Sequence, residues 1–144
     1  MHIEGRIIMS EKAVMWIKGA IAALGGAAAY LWGPWDALIN ALIALVALDY
    51  VTGVICAAAN KRLSSEIGFK GLIKKAVIFA LVAVAGVADK VIPATNQAIR
   101  AAVILFYIAN EAISILQDAA ELGLPVPEKL KAVLIKTKGE DKAE

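Results

Sequence analysis

Residues 48–75 read LDYVTGVICAAANKRLSSEIGFKGLIKK, and this stretch decides the fold. An apolar segment runs into it, another apolar segment leaves it, and a short basic turn lies between them. Loops rich in Lys and Arg are retained on the cytoplasmic side of a bacterial membrane. The stretch therefore predicts a transmembrane hairpin with a cytoplasmic loop, whose topology is determined by the cations Lys61, Arg62, Lys70, Lys74 and Lys75.

The composition of the chain supports this prediction. Of its 144 residues, 60% are hydrophobic before glycine is counted, and the mean hydropathy is +0.73. Soluble domains are about 45–50% apolar with glycine included, and a domain of this size has too little interior to bury so much apolar surface. We therefore expect an all-α integral membrane protein. The net charge of +2 is too small to indicate a nucleic-acid partner.

Four apolar segments are long enough to be candidate membrane spans, because about 20 apolar residues cross a bilayer as a helix. The predicted spans are residues 14–32, 36–59, 72–92 and 98–117. The segment between the second and third spans, Asn60 to Lys70, is predicted to be a loop that Gly68 and Gly71 loosen. The first span is rich in alanine and glycine, so three crossings with the first segment in the interface are the alternative.

The two ends of the chain are predicted to lie outside the transmembrane domain, which covers residues 9–127. Residues 1–8 contain Ile-Glu-Gly-Arg, a processing-protease sequence, and are interpreted as a remnant of expression cloning and a leader. Residues 128–144 form a charged tail, with one short helix from Glu128 to Ile135 and a disordered end. The distribution of Lys and Arg favours four spans with both termini in the cytoplasm, whereas three crossings would put the N-terminus outside.

Charged residues within the predicted spans are the best candidates for a functional role. A charge at the centre of a bilayer costs about 2.5–3.5 kcal/mol on insertion scales, so it usually faces protein or water. The carboxylates in question are Asp49, Asp89, Glu111 and Asp118. On the fourth span, helical spacing gives one polar stripe of Arg100, Tyr107, Glu111, Ser114 and Asp118. This stripe either packs inside a bundle, or lines a water-filled lesion or a subunit contact.

Asp49 and Glu111 carry the most specific hypothesis. Asp49 precedes Gly53 by four residues, and small residues let membrane helices approach closely. A close helix contact at Gly53 is therefore predicted to bring a neighbouring backbone near Asp49. The two carboxylates are expected either to hold helices together or to form the wet face of an assembly.

Enzymatic motifs are absent from the sequence. It contains no glycine-rich phosphate loop, no paired His or Cys at metal-ligand spacing and no Ser with a base partner. The single cysteine, Cys56, excludes an intramolecular disulfide. We therefore predict a protein that is not an enzyme and has no catalytic residue, cofactor or metal.

An ordered set of residues between about Leu38 and Leu134 resembles the toxin-secretion and phage-lysis holin family. It ends in NEAISIL at residues 110–116 and GLPVP at residues 123–127. The matching positions are Asp49, Gly53, Lys61, Gly68, Gly71, Lys75, Asp89, Arg100, Tyr107, Asn110, Glu111, Ser114, Leu116, Leu130 and Lys131. The residues that we expect to serve assembly or lesion lining are Asp49, Gly53, Asp89, Arg100, Tyr107, Asn110, Glu111, Ser114 and Asp118.

The resemblance implies a small phage or prophage protein of the bacterial cytoplasmic membrane. Such a protein oligomerises in the lipid bilayer and permeabilises it, and an endolysin then reaches the cell wall without necessarily touching the oligomer. Some relatives accompany toxin export. Two alternatives stay open from the residues alone. One is a small ion channel or transporter component, with Asp49 and Glu111 as ion or proton sites, and the other is a structural membrane subunit.

Overall fold

The computed structural model describes residues 2–138, which form five α-helices. The helices are α1 (His2–Trp32), α2 (Ala37–Ala59), α3 (Ser65–Val91), α4 (Ala98–Glu121) and α5 (Glu128–Lys138), with a 3₁₀ turn at Pro93–Thr95. No β-strand occurs among residues 2–138. Four of the helices, counting α1 from Ser10 onward, are long and apolar enough to cross a membrane. The prediction of an all-α chain with four apolar helices is confirmed.

The connection between α2 and α3 is shorter than the sequence predicted. Ser64 caps α3, and its Oγ accepts a hydrogen bond from the backbone N–H of Ile67 at 3.2 Å. In the first turns of the helix, Glu66 pairs with Lys70 at 2.8 Å. The prediction of a loop from Asn60 to Lys70 is therefore wrong, because only residues 60–64 join the two helices.

The two glycines that were expected to loosen this loop are part of α3. A Cβ at Gly68 would lie 3.5 Å from the hydroxyl oxygen of Tyr50, and a Cβ at Gly71 would lie 3.6 Å from the Tyr50 ring. Their missing side chains leave space in which the Tyr50 ring packs against α3. They therefore serve packing between α2 and α3.

The core lies between α2, α3 and α4. Each of these helices contributes buried aliphatic side chains, which are Ile39, Leu42, Val46, Ile78, Val82 and Ile104. Many other large apolar side chains lie on the outside of the bundle, and Val84, for example, is 65% exposed. A surface of this kind is stable in the hydrocarbon of a bilayer, where lipid replaces water.

Helix α1 packs mainly against α3, and it does so at its C-terminal end. The contact is closest at Gly86, where a Cβ would lie only 2.6 Å from the backbone oxygen of Leu31. Farther from this end, Gly19, Gly25 and Gly26 have open space around them. Residues 10–27 of α1 therefore face the surroundings of the bundle.

Helix α5 lies against α4 and begins at Glu128, as predicted. It extends to Lys138, three residues beyond the predicted end at Ile135. The end of the charged tail that was predicted to be disordered, residues 139–144, lies outside the described residues, as does Met1.

Candidate functional site

Polar side chains of α4 meet the neighbouring helices in three layers. The Arg100 layer lies at the start of α4, the Lys75 triad near its middle and the Asp118 layer at its end. The stripe predicted from helical spacing thus includes one residue of each layer, namely Arg100, Glu111 and Asp118. All three make their contacts inside the protomer.

The Lys75 triad consists of Asp49 of α2, Lys75 of α3 and Glu111 of α4. The ammonium of Lys75 donates hydrogen bonds to Oδ2 of Asp49 and to Oε2 of Glu111. Asp49 is 7% exposed and Glu111 is 1% exposed. Each of three helices therefore contributes one charged side chain to a single buried centre.

The position of Lys75 differs from the sequence prediction. We predicted Lys75 to be a cation at the cytoplasmic loop that determines topology. Since α3 begins at Ser65, Lys75 lies about three turns inside the helix, on the side that faces α2 and α4. Lys61 and Arg62 do lie in the turn between α2 and α3.

The other two predicted topology cations, Lys70 and Lys74, are exposed on the first turns of α3. Lys75 alone among the five is withdrawn from the surface, because it is the partner of two buried carboxylates.

In the Arg100 layer, the guanidinium fastens the turn between α1 and α2 to α4. Arg100 is 2% exposed, and its Nε donates to the backbone oxygen of Trp32 at 2.5 Å. Its terminal nitrogens donate to the backbone oxygen of Pro34 at 2.9 Å and to Oδ2 of Asp36 at 2.8 Å. The hydrogen bond from Arg100 holds the pKa of the Asp36 carboxyl below its ordinary value.

Gly33 is required at this turn. Its φ of 75° lies in the left-handed region, and a Cβ there would lie 2.9 Å from Nε of Arg100. The Arg100 side chain therefore occupies the space that any larger residue would need.

Asp89 of α3 completes the Arg100 layer by capping α4. Its carboxylate accepts hydrogen bonds from the backbone N–H groups of Ile99 at 3.2 Å and Arg100 at 2.7 Å. The hydroxyl of Thr95 donates to it at 2.5 Å. The residue at the usual capping position, Gln97, makes no such bond with its side chain. Asp89 thus satisfies N–H groups that a helix start leaves without partners.

The Asp118 layer joins the end of α4 to the end of α2. Thr52 donates to Oδ2 of Asp118 at 2.9 Å, and the side-chain amide of Asn60 donates to Glu121 at 3.1 Å. Arg62 forms an ion pair with Glu121. A Cβ at Gly53 would lie 3.7 Å from the Asp118 carboxylate, so within the protomer Gly53 faces a side chain of α4, and a close helix contact at Gly53 stays a prediction for the assembly.

Cys56, Asp118 and Glu121 place three possible metal-ligand atoms within 4.8 Å of one another. Both carboxylates already have partners, since Thr52 binds Asp118 while Asn60 and Arg62 bind Glu121. Hydrogen bonds and an ion pair account for this cluster without a metal.

The remaining predicted site residues, Tyr107, Asn110 and Ser114, are half-buried on α4. Tyr107 packs against the apolar core, and its ring meets Phe106 edge to face at a centroid distance of 5.1 Å. The structure therefore places Tyr107 with apolar neighbours, although helical spacing put it on the polar stripe.

Sequence reasoning missed several partners in these layers, namely Asp36, Thr52, Thr95 and the role of Lys75. Two local signals were present. Ser64 followed by Glu66 indicates a helix start that moves Lys75 into α3. Asp36, two residues after Pro34 and directly before an apolar run, indicates an N-cap, and its Oδ1 does accept from the N–H of Ile39 at 3.1 Å.

Four membrane-length helices with charged groups buried between them define this chain as a polytopic membrane protein. The sequence profile of the bacteriophage holin family matches residues 26–139. The chain therefore belongs to the bacteriophage holin family, which confirms the resemblance inferred from the ordered set of residues.

Relatives of similar length support the assignment. An uncharacterized 14.9 kDa protein from the nagH 3′ region of Clostridium perfringens is 40% identical over 124 residues, which cover 86% of this chain and 94% of the relative. An uncharacterized protein of Listeria monocytogenes is 40% identical over 119 residues, covering 83% and 84%. A probable holin of Bacillus phage phi105 is 35% identical over 113 residues, covering 78% and 81%. No solved structure gives a significant match to the chain.

Proposed function

We propose that this protein is a holin that oligomerises in the cytoplasmic membrane of its bacterial host and forms lesions there. An endolysin then passes through the lesions to the cell wall and the host lyses. The family match over residues 26–139 carries this proposal, and the probable holin of a Bacillus phage supports it. The same kind of lesion would release a large toxin. No enzymatic step is part of the proposal.

The distribution of polar groups indicates what lesion formation requires. The outside of the bundle is apolar, whereas the carboxylates of Asp49, Asp89 and Glu111 are buried inside the protomer. A water-filled lesion needs a polar wall, because an apolar wall does not hold water. Helices of neighbouring protomers therefore either exchange partners at the Lys75 triad and expose it to water, or keep the triad closed as the contact that holds each subunit together.

The proposed topology has four spans, with residues 9–127 as the membrane domain and both termini in the cytoplasm. Lys61 and Arg62 in the short turn between α2 and α3 support it, as do the lysines of the C-terminal tail. Single cysteines in a Cys56→Ala background test it. Ser65→Cys is expected to be protected from an impermeant thiol reagent in intact cells, and Trp35→Cys is expected to react. Labelling at Ser65 before any lysis contradicts this topology.

Inducible expression in a bacterium, with and without a cytoplasmic endolysin, tests the function. We expect loss of membrane potential in both strains, and a rapid fall in turbidity only in the strain with the endolysin. Ion flux without release of the endolysin would instead indicate a small channel, a candidate that the charged Lys75 triad within the spans favours. Neither flux nor release would indicate a structural subunit.

Two charge-removing variants test the role of the Lys75 triad in lysis. Asp49→Asn and Glu111→Gln are expected to insert and accumulate, because polar contacts between membrane helices average under about 1 kcal/mol each. Both are expected to release the endolysin late or not at all, whereas Lys74→Gln on the outer surface keeps normal timing. Crosslinked oligomer ladders shrink if the triad serves assembly, and persist if it forms the wet face. If lysis begins at the normal time in both carboxylate variants, the triad has no role in lysis.

A further inference from the structure

The Lys75 triad contains two acids for one base. With all three groups ionised, the site carries a formal charge of −1 among membrane-spanning helices. The second carboxylate oxygen of Asp49, Oδ1, is buried and has no hydrogen-bond partner. An unpaired buried charge is costly, because the low dielectric of the interior does not replace the lost hydration.

The other two layers also contain two acids for one base, but their carboxylates accept further hydrogen bonds. Asp89 is satisfied by two backbone N–H groups and the hydroxyl of Thr95, and Asp36 pairs with Arg100. Asp118 accepts from Thr52 in the half-buried end of the bundle. Among the residues that the structure describes, Oδ1 of Asp49 in the triad is the one buried carboxylate oxygen without a hydrogen-bond partner.

The two carboxylates of the triad lie next to each other, because each gives one oxygen to the same Lys75 ammonium. Ionised carboxylates are acceptors only, so a hydrogen bond between them requires a proton on one of the two groups. A bound proton would bring the formal charge of the triad to zero and give the unpartnered oxygen a donor role.

We propose that the Lys75 triad is a proton-binding site, in which the carboxyls of Asp49 and Glu111 together hold one exchangeable proton beside the Lys75 ammonium. The proton comes from water and returns to water, and no other bond changes. Loss of the proton leaves a net charge of −1 between α2, α3 and α4, so protonation is coupled to the packing of these helices. The site does not rest on the proposed function, since a membrane protein of any role can contain it.

Other titratable groups on these three helices have contacts or surroundings of their own. Tyr50 of α2 lies against Gly68 and Gly71, and Lys74 of α3 is exposed on the outer surface. On α4, Tyr107 packs against the apolar core and Asp118 binds Thr52. The charge of the triad is therefore set by its own three side chains.

Infrared spectroscopy of the purified full-length protein in liposomes tests the proposal. We expect the wild type to show the carbonyl band of a protonated carboxyl, which shifts in heavy water and is lost as the pH is raised. Asp49→Asn and Glu111→Gln are each expected to lose this band, because one carboxylate then faces one ammonium. Asp118→Asn, a carboxylate of another layer, is the matched control and retains the band.

Three outcomes overturn the proposal. The first is a wild-type protein without the band at any pH from mildly acidic to alkaline. The second is a band that persists unchanged in both triad variants. The third is a band that develops only after sodium is replaced by choline, which would show that a sodium ion and not a proton neutralises the triad.

Circular dichroism shows whether the variants fold. If they do not, a measurement on the wild type still tests the proposal. Protein grown with ¹³C-carboxyl aspartate and glutamate is expected to shift the band, since one of these residues carries the proton. With glutamate and aspartate labelled separately, an unshifted band in both samples refutes the site without any substitution.

Discussion

The substitution Gly86→Ala is expected to weaken the attachment of α1 to α3. The added Cβ would lie 2.6 Å from the backbone oxygen of Leu31, and backbone atoms cannot rotate away as a side-chain end can. Ordinary van der Waals contact begins at 3.4 Å, so the two helices must separate locally by about 0.8 Å, the difference between these distances. Forcing one methyl group into such a packed contact costs about 1–3 kcal/mol. At 1.4 kcal/mol per factor of ten, the population with α1 docked falls about five- to 150-fold relative to the undocked one.

Thiol crosslinking measures this change. Lys90 of α3 lies over the ring of Tyr30 of α1, with its Nζ 3.5 Å from the ring centroid, so these two positions report the distance between the helices. The double variant Tyr30→Cys/Lys90→Cys in a Cys56→Ala background is expected to crosslink with a short bifunctional thiol reagent, and added Gly86→Ala is expected to slow the reaction.

Gly19→Ala is the matched control for this prediction. It makes the same change in a helix, with the same gain of up to about 1 kcal/mol in helix propensity, but its added Cβ has nothing within 4 Å. Equal crosslinking rates in the Gly86→Ala and Gly19→Ala proteins would refute the reasoning, because the close contact would then carry no energy.

Three further substitutions test the polar layers. Lys75→Met leaves two carboxylates without their cation and is expected to lower the free energy of unfolding in detergent micelles by about 3–5 kcal/mol, whereas Lys74→Met on the outer surface changes little. Gly33→Ala is expected to cost about 1–3 kcal/mol in the same assay, since it strains a φ of 75° and contacts Arg100, and unchanged stability would contradict this. Asp36→Asn is expected to make the free energy of unfolding depend less on pH in the acid range. Because the folded pKa of Asp36 lies below its ordinary value of 3.8, its stabilisation is complete above that pH and is lost as the pH falls through the folded pKa. If the free energies of unfolding of the wild type and of Asp36→Asn depend on acid pH in the same way, the lowered pKa is contradicted.

The number and type of the helices could be predicted from the sequence because hydropathy acts over whole segments. Twenty or more apolar residues are needed to cross a bilayer, and four such runs are visible. The start of α3 was missed because Lys70, Gly68 and Gly71 read as loop residues when they are considered one at a time. The cap at Ser64 outweighs them, and the two glycines fit beneath Tyr50 only once α2 and α3 are side by side.

The candidate site was predictable only in part. Spacing along α4 placed Arg100, Glu111 and Asp118 on one face, since a single helix has a fixed period. Their partners come from other segments, and the period of one helix contains no information about which neighbour it meets. Lys75 in particular was assigned to the loop by its charge, although its position three turns into α3 gives it access to both buried carboxylates.

The three polar layers bear on which part of the protomer moves most easily. Helices α2, α3 and α4 share an apolar core and are joined by the Lys75 triad, so separating them breaks both. Residues 11–27 of helix α1 are exposed, and the helix is held at its last turn, where Leu31 packs against Gly86 and Trp32 binds Phe79 and Arg100. Arg100 binds the backbone oxygens on either side of Gly33, so a tilt of α1 about this glycine requires that those two hydrogen bonds break. The energetically cheapest rearrangement of the protomer is therefore a tilt of α1, and the breaking of the two Arg100 hydrogen bonds is part of its cost.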